Sequence, residues 1–378
     1  MKLAFLQEIY DYEGPFATVY LDTSAESEDA GKALELRWCG ARESLSRRGA
    51  GEADLRALES AVASHESRTG RRGQVLVAAE GSVVFSDELP EPPEHFPSDA
   101  GVSFGRLPHL LPYLAMRQAR IPHVVAVVDR LGADLTIVQA NQHVMRSSVD
   151  GDDNPHHKSH AAGQGDEKRH HQRVEERWKA NAKLIADEIT RRVREYRAEV
   201  VVLAGDVEQR KLVGDQLEAH VRELVIATAA GHRRRGALDA PLREEIAEAV
   251  DTTLQQRVDR AVVEFEKERG NRAHVAEGWQ ETVDALLHGQ VRALLWSREA
   301  YGLADHGMLS IGSEPNHVAF EDATLVALGA AWVEHVAAED ALIRAASCTG
   351  ADLVLPAPRE VELADGVGAV LRYADSTR

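Results

Sequence analysis

The sequence predicts an α/β protein of three domains, and three observations carry that prediction. Its 378 residues exceed one small domain and suit two or three of ordinary size. Short apolar runs of strand length alternate with long stretches of helical periodicity, the pattern of α/β architectures. Charge is also divided unevenly along the chain: net -6 over residues 1–120, +1 over 121–235 and -13 over 236–378. These segments are the three expected domains: an N-terminal α/β domain, a central domain and a C-terminal α/β domain.

In the first segment, residues 16–21 form a strand rich in β-branched and aromatic residues. Helices are expected over about 30–48 and 52–67, and a hairpin joins strands 74–78 and 82–85 around Glu80-Gly81. The central segment opens with strand 124–128, turns between Asp129 and Asp134, and returns along 135–138. Residues 147–171 form a polar stretch without hydrophobic periodicity, expected as a loop. A loop of that length in a compact domain is usually functional or disordered. A helix follows, with Val174, Trp178, Ala182, Ile185, Ile189, Val193 and Tyr196 on one face. Trp178 is expected in the core. Val200–Ala204 is apolar without a break, as in a strand buried on both faces. Gly205-Asp206 ends it, and a helix runs to about Leu224.

The third segment begins with a helix opened by Asp239-Ala240-Pro241, with a capping residue and Pro near the first turn. Its stripe is Leu242, Ile246, Val250, Leu254, Val258, Val262 and Phe265. Then come a helix 281–287, a strand 291–296, a helix 325–344, a strand 353–355 and the closing strand 366–373.

Composition excludes several classes. At 44% hydrophobic and 28% charged residues, the chain is globular rather than disordered. Two cysteines, Cys39 and Cys348, provide no disulfide framework and no Cys-rich zinc module, and both are expected to be packing residues. They fit a reducing, cytoplasmic setting. The N-terminus turns acidic before any apolar core of signal-peptide length, and no apolar run is long enough to span a membrane. The total charge of -18 argues against nucleic acid until its distribution is seen. Lys168, Arg169, Arg173, Arg177, Lys179 and Lys183 lie in one stretch, followed by Arg191, Arg192, Arg194 and Arg197 and by Arg233, Arg234 and Arg235. One basic patch on an acidic protein is enough to meet RNA locally.

The polar stretch carries His156, His157, Lys158, His160, Ala162, Gly163, Gln164, Lys168, Arg169, His170 and His171, and leads into the helix bearing Arg173. This resembles the central domain of archaeal and eukaryotic class-one release factors. There a Lys/His-rich loop carries Gly-Gly-Gln before a basic helix and a strand ending Leu-Ala-Gly. Here Ala162-Gly163-Gln164 occupies the tripeptide position and Leu203-Ala204-Gly205 ends the strand. Gly366 to Tyr373, a glycine-rich run finishing Leu-Arg-Tyr, is similar to the end of the same family's third domain, and Glu281 to Val291 to its start. Residues 13–22 resemble the start of the bacterial members of this superfamily, which include the Pelota-like, Balon-type ribosome hibernation factors. The codon-reading Asn-Ile-Lys-Ser tetrapeptide is absent.

The resemblance implies a central domain of ribonuclease-H-like fold and a third domain like the kink-turn-binding proteins. It further implies a cytoplasmic factor that enters the ribosomal A site, inhibits translation in stressed cells, and is delivered by EF-Tu. The loop would reach rRNA at the peptidyl-transferase centre and the first domain the decoding centre, where Arg47, Arg48, Arg68, Arg71 and Arg72 are the basic candidates. Arg233, Arg234 and Arg235 are further candidates for rRNA. The alternative activity is peptidyl-tRNA hydrolysis in ribosome rescue, with Gly163 and Gln164 placing the water. Glycine permits close backbone approach, and glutamine offers a donor and an acceptor without charge. Ala162 adds a Cβ where the family has its first glycine, which favours binding over hydrolysis. Occlusion requires no catalytic residue, cofactor or metal. A metal nuclease would need converging carboxylates; Asp129, Asp134 and Asp206 are available, but Asp129 and Asp134 flank a hairpin turn, where acidic residues are commonplace.

Overall fold

The computed structural model describes residues 1–25, 29–65, 70–89, 91–93, 101–118, 121–139, 144–151, 164–231, 239–270, 274–297, 307–357 and 359–373. The side chains of 118 and 164–175 are outside that description. The chain forms two compact units, one of residues 1–118 with 257–378, the other of residues 119–256.

The first third contains β1 (Phe16–Asp22), α1 (Ala30–Arg47), α2 (Glu52–Ala63), β2 (Gly73–Ala79), β3 (Ser82–Leu89), β4 (Val102–Gly105) and α3 (Leu111–Gln118). The middle third contains β5 (His123–Asp129), β6 (Gly132–Val138), β7 (Val144–Asp150), α4 (Gln164–Tyr196), β8 (Val200–Gly205), α5 (Val207–Gln216), α6 (Ala219–Arg222) and β9 (Val225–Ala227). The remainder contains α7 (Ala240–Arg269), β10 (Val275–Glu277), α8 (Gly278–Leu287), β11 (Val291–Trp296), β12 (Met308–Gly312), β13 (Val318–Ala319), α9 (Asp322–Ala327), β14 (Val333–Ala337), α10 (Ala338–Cys348), β15 (Asp352–Val354) and β16 (Val367–Leu371).

The central unit is built on a five-stranded sheet in the order β7-β6-β5-β8-β9. β5 pairs parallel with β8, and β8 with β9; β6 and β7 extend the sheet antiparallel. Side chains on a strand alternate between faces. On one face Val124, Ala126, Val128, Val201 and Leu203 pack against Ala182, Ile185, Ala186 and Ile189 of α4. On the other, Val125, Val127, Val200, Val202 and Ala204 pack against Leu242, Ile246 and Ala249 of α7. Two covered faces explain why β5 and β8 are apolar without alternation. They also explain the unit boundary. The sequence analysis divides the chain at 235/236, but the first half of α7 is the second cover of the central sheet. The stripe on α7 changes unit along its length: Val258, Val262 and Phe265 pack with Ala293, Leu295, Val354 and Val370.

In the other unit, the antiparallel sheet β3-β2-β1-β4 has α1 and α2 on one face, through Trp38, Leu45, Leu55 and Leu58 against Val19, Leu21 and Leu76. Its opposite face, with Phe16, Tyr20, Val75 and Val77, shares one core with Leu286, Leu294, Trp296 and Leu342. The first and last thirds of the chain are therefore joined by apolar packing. The sheet β10-β16-β11-β15 and the small sheet β13-β12-β14 complete this unit.

Three sequence expectations differ from the structure. Residues 325–344 are not one helix: α9 ends at Ala327, β14 pairs antiparallel with β12, and α10 starts afresh at Ala338. Residues 147–171 are not one loop: Ser147–Asp150 belong to β7, and Gln164 onward is helix. β7 alternates exposed and half-buried residues at a sheet edge, so its polar composition hides it. Cys39 is exposed on α1 rather than packed, and Cys348 is half-buried.

Candidate functional site

The site is built where the central sheet hands over to α4. β7 ends at Asp150 and α4 begins at Gln164. The Gly151 amide donates to the Leu131 carbonyl at 2.7 Å. A Cβ at Gly151 would lie 2.3 Å from Asn181 Nδ2, so the glycine leaves room for the Asn181 side chain in its present rotamer. Asn181 also donates to the Arg130 carbonyl at 3.3 Å. The Arg130 guanidinium lies 4.6 Å from the centre of the Trp178 ring, a cation–π contact. Trp178, expected in the core, is thus half-buried under an arginine. Its place in the periodic stripe predicted burial, but the stripe of buried residues starts at Asn181.

From Gln164 to Asn181 the helix rises about 25 Å at ~1.5 Å per residue. Along this reach lie Lys168, Arg169, His170, His171 and Arg173, all on α4, with side chains outside the described residues. Beyond them Arg177, Lys179 and Lys183 are exposed, and neither lysine has an ion-pair partner among the described residues.

The second half of the basic run behaves differently. Arg191 pairs with Glu188 at 2.6 Å and Glu195 at 2.9 Å; Arg192 pairs with Glu188 at 2.8 Å. Arg194 pairs with Glu218 at 2.5 Å. The hydrogen bond from Arg191 holds the Glu188 carboxyl below its ordinary value, joined by the charge of Arg192 and opposed by partial burial. This end of α4 neutralises itself.

The Leu203-Ala204-Gly205 motif has a packing reason. Gly205 has φ +103°, and a Cβ there would lie 2.2 Å from the Val128 carbonyl oxygen. It lets β8 turn into α5 beside the end of β5. Asp206 then caps α5, accepting from the amides of Glu208 and Gln209. Asp129 accepts from the amides of Leu131 and Gly132 in the β5–β6 turn. Two of the three carboxylates of a nuclease reading are thus occupied by turn and cap geometry.

The other candidates lie apart from α4 in sequence. Arg47 and Arg48 are exposed at the end of α1; Arg71 is exposed just before β2. Arg72 pairs with Glu88 at 3.4 Å, and its amide and carbonyl bond Ser24. His156, His157, Lys158, His160, Ala162, Gly163, Arg68, Arg233, Arg234 and Arg235 lie outside the described residues.

Sequence reasoning missed one cluster. His109 Nδ1 lies 3.1 Å from carboxylate oxygens of both Glu339 and Asp340, in the first turn of α10. These three are the one group among the described residues close enough to share a metal ion. The geometry is equally that of a protonated imidazole between two carboxylates. Desolvation alone would lower the histidine, but the hydrogen bonds and charges of Asp340 and Glu339 raise it to about 10. Burial pushes Asp340 up to about 6 against the pull of His109. The partners are 230 positions apart, and α10 was expected to start well before them, so nothing in the sequence pointed to the cluster.

Among the described residues no helix is long and apolar enough to cross a membrane. Residues 122–271 match the model of bacterial archaeo-eukaryotic release factor family 2. An uncharacterized protein of Mycobacterium tuberculosis, Rv2629, is 32% identical over 383 aligned positions, covering 100% of this chain and 98% of the relative. Among solved structures, a model of ribosome-bound archaeal Pelota and ABCE1 is similar at 15% identity and a TM-score of 0.43, covering 98% of this chain and 94% of that one. Dom34 of S. cerevisiae gives 10% identity and 0.41, covering 81% of each chain. The archaeal translation termination factor aRF1 gives 15% and 0.26, covering 98% of this chain and 97% of that one. Overlaps this loose add nothing to the geometry described above. By its central segment and its full-length relative, the chain belongs to the bacterial archaeo-eukaryotic release factor family.

Proposed function

We propose that this protein binds the bacterial ribosome, occupies the A site and inhibits translation as a hibernation factor. In this reading the segment before Gln164 and the first half of α4 enter the peptidyl-transferase centre, while the first third approaches the decoding centre. The observation that carries it is the asymmetry of α4. Basic residues run along the helix from Lys168, and Lys179 and Lys183 are exposed with no ion-pair partner among the described residues. The distal arginines have carboxylate partners on the protein itself. Cations without internal partners are those free to displace counter-ions from RNA phosphates. The positive end of the α4 dipole adds to this attraction. EF-Tu is the delivery partner in this account.

Inhibition by occlusion requires shape and charge, with no catalytic residue. Co-sedimentation with 70S ribosomes over a salt series tests it. Wild-type protein should pellet with ribosomes with a steep salt dependence, and replacing Lys168, Arg169 and Arg173 with Gln should weaken binding and flatten the slope. Unchanged binding in that variant contradicts the reading. Release of labelled peptide from peptidyl-tRNA, abolished by Gln164→Ala, would instead assign hydrolysis.

A further inference from the structure

His109, Glu339 and Asp340 meet within the unit of residues 1–118 and 257–378. Each is held in place from outside the cluster. The His109 amide donates to Thr18 Oγ1 at 3.2 Å, and the His109 carbonyl accepts from the Tyr20 hydroxyl at 2.7 Å, so β1 fixes its backbone twice. Glu339 and Asp340 stand in the first turn of α10, whose N-cap residue, Ala337, makes no side-chain cap. Glu339 Oε1 and Asp340 Oδ1 each lie 3.1 Å from His109 Nδ1. All three ligand atoms lie within 4.8 Å of one another.

The cluster is short of positive charge. Neither carboxylate has a lysine or arginine partner among the described residues, so a single imidazole faces two acids. Asp340 is only 7% exposed, and water screens little of its charge. Even a protonated imidazole leaves one negative charge over, and the N-terminal end of α10 offsets only part of it. A divalent cation on a neutral imidazole would balance both carboxylates. The separations fit as well as the charge. Two ligand atoms at right angles around one ion, each about 2.1 Å from it, stand about 3.0 Å apart, close to the 3.1 Å found here. The side chains of His109 and Glu339 are 19% and 24% exposed, which leaves an approach from solvent. The imidazole nitrogen favours a first-row transition cation over Mg²⁺ or Ca²⁺, which take oxygen ligands, and two carboxylates suit Mn²⁺ among that row.

We propose that His109 Nδ1, Glu339 and Asp340 bind one divalent transition-metal ion of the Mn²⁺ kind, with water completing its shell. The ion would take the place of the imidazole proton and tie the segment before α3 to α10. The proposal is independent of ribosome binding.

Titration of Mn²⁺ into the metal-free full chain, followed by loss of the paramagnetic resonance signal of the free ion, tests it. Wild-type protein should bind an ion with a Kd below about 1 mM, the weak end of known cation sites. Glu339→Gln and Asp340→Asn, with circular dichroism like the wild type, should each weaken that binding at least about tenfold, the loss that even an outer partner of a ligand causes. Equal binding in both variants places the ion elsewhere, for example at the histidines of residues 156–171, and overturns the proposal. Wild-type protein that leaves Mn²⁺ free at about 1 mM overturns it too. Should Asp340→Asn not fold, Glu339→Gln decides alone, since Glu339 is the more exposed of the two.

Discussion

The cations near the middle of α4 and those near its end differ in what they touch. Lys179 and Lys183, near the middle of the helix, are exposed with no ion-pair partner among the described residues, whereas Arg191, Arg192 and Arg194 near its end pair with Glu188, Glu195 and Glu218. A run of basic residues therefore says little about binding until its internal partners are known. Glu188 and Glu195 stand three and four residues from the arginines, on the same helix face, while Glu218 reaches Arg194 from the segment before α6.

The largest effect expected from this contrast is on ribosome affinity. Replacing Lys168, Arg169 and Arg173 with Gln should cost about 100-fold at moderate salt and lower the slope of log K against log salt by about 2, at ~0.7–0.9 per phosphate contact. Replacing Arg191, Arg192 and Arg194 with Gln should leave that slope unchanged, and an equal loss in both variants would break the comparison.

His109 is a third kind of cation, paired and buried, and its removal should be felt in stability. His109→Gln should cost about 3 kcal/mol below neutral pH, measured by urea denaturation. The histidine's pKa rises on folding from 6.5 to about 10, so its contribution is complete below 6.5 and is lost as pH climbs through about 10. Asp340 is also raised, from 3.8 to about 6. Its penalty grows over that range and is complete above it, so both groups make the wild type less stable as pH rises. His109→Gln should flatten the fall between 6.5 and 10; a variant with the wild-type pH profile would sink this assignment.

A smaller effect is expected for the distal arginines. Surface and half-buried ion pairs contribute little, so their triple replacement should lower the central unit's stability only slightly, less than the loss of His109, by urea denaturation. Smallest is Arg130→Ala, which removes the contact over Trp178 and should cost about 0.5–1 kcal/mol, with a change in tryptophan fluorescence. Fluorescence identical to wild type would mean that the contact is absent in solution.

What the sequence revealed follows from what burial does to composition. β5 and β8 are legible because both faces are covered, which leaves uninterrupted apolar runs. β7 is illegible because it lies at a sheet edge with exposed alternate residues. The apolar spacing from Leu325 to Ile343 mimics one helix, and only the pairing of β14 with β12 breaks it. For the candidate site, the sequence shows the order of residue types along α4, from Lys168 to Arg194. The partner Glu218 comes from outside the helix, and the cluster around His109 joins segments that only the shared core brings together.

The central claim is that the first half of α4 and the segment leading into it face ribosomal RNA. A density map of the protein on the 70S ribosome tests it most directly. The account predicts Gly163-Gln164 against the rRNA of the peptidyl-transferase centre, with Lys179 and Lys183 facing phosphates and Arg191 facing away. A map with that end of α4 in solvent, or with the distal arginines on RNA instead, would contradict it.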